Sequence, residues 1–174
     1  MTRSRHSTEL SRMSKTQGHS EEFESMTATS HAVIGTIIAA KIGNPALAVP
    51  IALASHVAAD MIPHWDVATN GNGKGDGKVL KNSIVDVALG FLVSYLIIQL
   101  FFPQVNLLYA FVVIVASQLP DWLMIPYYLF NSKNKFSRAV YKFQKLFDNR
   151  LDKPWGIISQ AIVVSLILYI ATIF

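Results

Sequence analysis

Five side chains of this chain pair metal-ligand chemistry with a place inside or beside apolar segments: His31, His56, Asp60, Asp86 and Asp121. His31 opens the first apolar stretch. His56 and Asp60 close the second, Asp86 opens the third, and Asp121 lies late in the fourth. His64 and Asp66 follow the second stretch directly, in Ser-His-Val-Ala-Ala-Asp-Met-Ile-Pro-His-Trp-Asp. Imidazole and carboxylate together suit a divalent metal; zinc stands first, with manganese, iron and magnesium as alternatives. A single metal takes three or four protein ligands, with an open position if it is catalytic. Seven candidates suffice for two metals, or for one metal with a general base and supporting groups. His31, His56, Asp60, His64 and Asp86 are the candidate ligands. Asp66 and Asp121 are the candidate general bases.

Plainer roles stand beside these. A single His or Asp at a helix end is usually a cap or an interfacial group. Asp66 could cap its loop, and His64 beside Trp65 could sit in an aromatic belt. The remaining five are harder to explain that way. A carboxylate within a spanning segment costs a few kcal/mol unless it is paired. The one basic residue within these apolar helices, Lys41, lies at the opposite end. A bound cation is the simplest compensation, and a protonated Asp the competing one.

The elements that must position these groups are helices. The chain has 174 residues, 52% hydrophobic and 15% charged, against about 25% charged in a soluble domain. Its mean hydropathy is +0.37. This predicts an all-α integral membrane bundle of about four spanning helices, a short first helix and an interfacial amphipathic helix. Residues 1–26 read as a polar tail without the apolar core of a signal peptide, and 27–174 as a single transmembrane domain. Met26 is a natural start codon, and His6 and His19 in the tail bear on no site. The chain has no cysteine, which excludes disulfides and thiolate ligands.

The first segment, about Ser30 to Ile42, rises roughly 20 Å at 1.5 Å per residue, short of a roughly 30 Å hydrocarbon core. It is expected to enter part-way or to tilt beneath its neighbours. Asn44-Pro45 starts a second helix that ends near Met61, before Pro63. His56 and Asp60, four apart, share a face of it. The Gly- and Asn-rich stretch from Val67 to Lys78 lacks the closing Glu of an EF-hand and the spacing of a P-loop, and reads as a linker. Helices follow over about Asn82–Phe102, Val105–Phe130 and Pro154–Phe174. Pro120, just before Asp121, leaves the Ala116 carbonyl without its helical partner. A faint repeat pairs His31-x-x-x-Gly35 with Asp86-x-x-x-Gly90, and Ala54-Ser55-His56 with Ala116-Ser117-Gln118.

The net charge of +4 is uneven. Lys133, Lys135, Arg138, Lys142, Lys145, Arg150 and Lys153 crowd the last connector, 133–153. Phe136, Ala139, Val140, Phe143, Phe147 and Leu151 recur there at helical spacing. This predicts a helix lying in the interface, attracted to anionic lipid. Beside membrane spans, the positive-inside rule accounts for the basic block better than nucleic acid does. The connector is then cytoplasmic, with the N-terminus inside and the C-terminus outside, and the His/Asp residues collect at the cytoplasmic face.

A His near the start of a short first helix, followed by a helix ending in His-x-x-x-Asp-x-x-Pro-His-x-Asp, resembles the membrane-bound, metal-dependent hydrolase family of YdjM-like inner-membrane proteins. The resemblance covers about Thr27 to Pro126. It implies a helical protein of the inner membrane with a metal-dependent hydrolase activity, and it places His31, Asp60, His64 and Asp66 in metal-site motifs. The family's later paired-histidine motif has no counterpart here, and Asp86 and Asp121 are the candidates to replace it. The expected function is hydrolysis at the cytoplasmic leaflet, with a phosphoester or lipid head group as substrate. Two alternatives are an ion- or proton-coupled transporter, which with five short helices would have to oligomerise, and a non-catalytic protein with a structural metal. The expected partners are membrane lipids and a second copy of the chain.

Overall fold

The computed structural model describes residues 26–65, 77–128, 130–149 and 151–174. The polar tail, the Gly-rich linker and Asp66 lie outside the described residues. Among the described residues the fold is all-helical, with α1 Ala28–Lys41, α2 Pro45–Asp60, α3 Gly77–Phe101, α4 Leu107–Tyr128, α5 Lys135–Gln144 and α6 Trp155–Ile173. Three helices are long and apolar enough to cross a membrane: α3 from Val79, α4 and α6. α2, with 16 residues, rises about 24 Å and falls short of the hydrocarbon thickness.

α1 is enclosed rather than peripheral. It packs on α2, α3, α4 and α6, and Ser30 to Ile37 and Ala39 are all buried. Its length bears only on its reach; its place is central to the bundle. The cause is side-chain size: its apolar residues go all the way round, as in a helix with no solvent face, and many are small. Gly35 and Gly90 are the points of closest approach. A Cβ on Gly35 would stand 2.5 Å from Ser117 Oγ and 3.1 Å from the Ile114 Cα on α4. A Cβ on Gly90 of α3 would stand 3.1 Å from both the Thr29 Cα and the Ala32 Cβ of α1. Small residues at such crossings let backbones approach without a solvent-driven hydrophobic effect. Ala32, Ala39, Ala48, Ala52, Ala110 and Ala116 continue that small-residue core.

The outer helices show the opposite pattern. α3 presents Leu89, Leu92, Leu96 and Leu100 outward, and α6 presents Ile162, Leu166 and Ile170. Asn44 caps α2, its side chain accepting from Ala46 N–H at 2.9 Å. α4 runs on through Pro120 and Pro126.

α5 turns its polar face, not its apolar stripe, to the bundle. Ser137, Tyr141 and Gln144 are buried, with Tyr141 packed among Val79, Met124 and Tyr128. Phe136, Phe143 and Leu146 are 60%, 51% and 77% exposed. Arg138 and Lys145 fold over the rings of Tyr127 and Tyr141.

The crossings predict a stability effect. Gly35→Leu or Gly90→Leu should destabilise the protein in detergent by about 1–3 kcal/mol, the range for overpacking. Gly43, where an added Cβ meets nothing within 4 Å, is the control, and Gly43→Ala should leave the melting temperature near wild type. Equal melting of all three variants would remove the close-packing account of α1.

Candidate metal centre

The start of α1, the end of α2, the second half of α4 and the end of α5 meet at one end of the bundle. His31 comes from the first turn of α1, His56 and Asp60 from the last turns of α2, Asp121 from α4, and Gln144 from the last residue of α5. All five are buried. His31 Nε2 lies 3.2 Å from Asp60 Oδ1. His56 Nε2 lies 3.3 Å from Asp60 Oδ2 and 3.3 Å from Asp121 Oδ1. The two imidazoles stack with centroids 3.9 Å apart.

Hydrogen bonding fixes one tautomer. His56 Nδ1 is 2.8 Å from the Ser117 carbonyl. A carbonyl only accepts, so Nδ1 carries a proton, and in the neutral ring Nε2 turns its lone pair into the cluster. The neighbouring turn holds His31 in place: Ser117 Oγ donates to the His31 carbonyl at 2.9 Å. Pro120 sits three residues on from Ser117, and its ring crowds this part of α4. The Gln144 amide donates from Nε2 to Asp121 Oδ1 at 2.9 Å and contacts His56 Nε2 at 3.0 Å.

These spacings fit one cation. An ion about 2.1 Å from its ligands sets neighbouring ligand atoms about 3.0 Å apart in an octahedron and about 3.4 Å apart in a tetrahedron. Single ligand atoms of His31, His56 and Asp121 all lie within 4.8 Å of one another. The chemistry of the set also fits. Neither ring nitrogen of His31 has a hydrogen-bond partner, although the residue is 1% exposed. A buried lone pair facing carboxylate oxygens is repelled unless a proton or a cation stands between them. The buried group of His31, His56 and Asp121 could therefore hold a metal ion.

Asp86 and His64 are engaged with other partners, and Asp60 serves both places. Asp86, on α3, accepts from the backbone N–H of Ala28 at 2.6 Å and of Thr29 at 3.3 Å, and from the Thr29 hydroxyl at 2.6 Å. It supplies to the N-terminus of α1 the acceptor that Thr27, the N-cap, does not. Asp60 adds to this by accepting the Met26 N–H at 3.0 Å. His64 Nε2 lies 3.3 Å from Asp148 Oδ1 and its Nδ1 donates to the Ile62 carbonyl at 2.8 Å.

Four contributors were not singled out by the sequence reading: Gln144, Ser117, Asp148 and Gln160. Gln160 of α6 accepts from the hydroxyls of Thr27 and Ser30 at 3.0 and 3.2 Å, and its amide donates to the Trp65 carbonyl. One signal was available. Ser137, Tyr141 and Gln144 fall at helical spacing on a face of their own, and Gln144 is its polar end. No family model, no curated protein and no solved structure matches the chain.

His64 lies outside the membrane-length helices and carries a pH prediction. Burial opposes its charged form. The contact with Asp148, the Ile62 carbonyl and the Asp60 charge outweigh that, and its pKa stands above the ordinary 6.5. Folding then favours the protonated ring. That stabilisation is complete below pH 6.5 and is lost as pH rises through the raised folded-state value. His64→Gln should therefore lower the melting temperature most at acidic pH, with the gap to wild type closing as pH rises. A pH-independent gap would overturn the pairing.

Proposed function

We propose that the protein is a membrane-embedded, metal-dependent hydrolase whose His/Asp centre works at the cytoplasmic face on a phosphoester or lipid head group. One observation carries the reading: His31, His56 and Asp121 converge within 4.8 Å of one another, and Asp60 is a further carboxylate within 3.3 Å of both imidazoles. Three ligands and one spare base make up the minimum equipment of such a site. A divalent cation held there would supply Lewis acidity toward a water or a phosphoryl oxygen, with zinc the first candidate.

The chain's own residues do the rest. His56 is held in one tautomer by the Ser117 carbonyl. Asp60, in excess of the three ligands and 3.2 Å from His31, would take the proton of the attacking water. This exchanges the roles suggested by the sequence, with Asp121 a ligand and Asp60 the base. On the α5 side the cluster is covered by Gln144, and this is the side we assign to substrate entry. The exposed Phe136, Phe143 and Leu146, with Lys133, Lys135, Lys142 and Lys145 around them, favour an anionic lipid surface beside that cover.

A second reading rests on burial. His31, His56 and Asp121 are 1%, 0% and 7% exposed, and closed sites are the habit of structural metals. Metal content and turnover separate the two. Purified wild type should carry about one equivalent of metal and hydrolyse a generic phosphoester in detergent. Asp60→Asn should retain metal while losing turnover by roughly 10²-fold or more, the scale of general-base catalysis. Chelator should lower the melting temperature, because a ligand at 100 times its Kd adds about 2.7 kcal/mol to the folded state. Metal without turnover would leave the structural reading standing, and protein devoid of metal and indifferent to chelator would remove both.

The orientation is tested separately. The basic block from Lys133 supports a cytoplasmic α5 and hence, in a bacterial cell, an inner-membrane protein with its C-terminus outside. With no native cysteine, Lys142→Cys should resist an impermeant thiol reagent in intact cells and Phe174→Cys should react. The reverse pattern would invert the topology.

A further inference from the structure

Gln144 is the one amide among the five side chains of the cluster, and it is only half used. Its Nε2 contacts both Asp121 Oδ1, at 2.9 Å, and His56 Nε2, at 3.0 Å. Its Oε1 is buried and makes no hydrogen bond. A buried carbonyl without a partner costs about 1–3 kcal/mol, so the orientation is held by what the nitrogen gains. That gain exists only while the two atoms it faces are acceptors with nothing between them. Once His56 Nε2 and Asp121 Oδ1 give their lone pairs to a cation, an N–H₂ group directed at the same point is repelled by the ion.

A half-turn about the last side-chain bond exchanges Nε2 and Oε1 at nearly the same place. The oxygen would then lie about 3 Å from each of the two ligand atoms. That is the separation of neighbouring ligands on one ion about 2.1 Å away. We propose that Gln144 is a further ligand of the cation centre: its amide nitrogen latches the empty site and its amide oxygen coordinates the occupied one. The proposal rests on the metal reading given above. It adds a fourth helix to the centre, because Gln144 closes α5, whose outer face carries Phe136 and Phe143. The cover of the site is thereby also part of it, and binding a cation fastens α5 to the bundle.

The sign of one affinity change decides this. Zinc affinity is measured by competition with a chromogenic chelator, on full-length protein in detergent, for wild type, Gln144→Leu and Gln144→Glu. A ligand role predicts that Gln144→Leu binds zinc roughly 10-fold or more weakly, and that Gln144→Glu, with an anionic oxygen at that place, binds as tightly as wild type or tighter. If Gln144 were only a latch, Gln144→Leu would remove a competitor and bind zinc more tightly; that result, or an unchanged affinity, overturns the proposal. The melting temperature of metal-free protein reports whether each variant folds. If Gln144→Leu does not fold, Gln144→Glu decides alone, and weaker zinc binding by it overturns the proposal. A wild type that binds no zinc in the same assay overturns the metal reading itself, an outcome distinct from equal binding by all three proteins.

Discussion

A helix can be buried at its N-terminus only if something accepts the N–H groups that no preceding turn can reach. α1 has that problem in an acute form, because it is the central helix and has neighbours on four sides. Its first free donors go to Asp86 of α3, the N–H of Met26 goes to Asp60 of α2, and the hydroxyls of Thr27 and Ser30 go to Gln160 of α6. Three helices thus converge on the first turn of α1 through polar groups that the membrane would otherwise penalise. His31 stands in that same turn. Its place in the cluster follows from how α1 is anchored, and the cluster inherits its position from a requirement of folding.

That anchoring also divides the acidic residues by task. Asp86 spends its oxygens on a helix N-terminus, where a carboxylate is stabilised by the partial positive charge of the free N–H groups. Asp60 gives one oxygen to the same purpose and keeps both near an imidazole. Asp121 faces His56 and Gln144. The three carboxylates thus run from one engaged with a helix terminus, Asp86, through one shared between terminus and imidazoles, Asp60, to one set against an imidazole and an amide, Asp121.

Much of this was legible because helix geometry carries it. Four residues separate His56 from Asp60, and the structure sets them 3.3 Å apart. Asn44-Pro45 announced the start of α2, and the alternation of apolar segments placed the His and Asp residues at a common end. The central position of α1 was not legible, because its 14 residues bear on its reach and not on which neighbours enclose it. What encloses it is the run of Gly and Ala that lets α3 and α4 close on it, and such a run shows its meaning only when the partner surfaces are known. Asp86 was read from its type and segment, which are the same for a ligand and for a cap. Gln144 escaped notice because the eye follows the apolar stripe of α5. That stripe carries the exposed Phe136 and Phe143, and the polar side of the helix is the one turned to the bundle.

The way α5 is tied down shows why the cover and the centre act together. After Gln144 the chain turns back along the end of α2. Asn149 N–H donates to the Asp60 carbonyl at 3.1 Å, His64 N–H to the Asn149 carbonyl at 3.0 Å, and Leu151 N–H to the His64 carbonyl at 2.7 Å. The His64–Asp148 pair closes the same junction through side chains. α5 is therefore joined at its C-terminal end to the end of α2, next to Asp60. The residue that closes the helix, Gln144, meets Asp121 and His56 at the same place. The cover and the cluster are thus built on one junction, and a change in either reaches the other through Asp60 and Gln144.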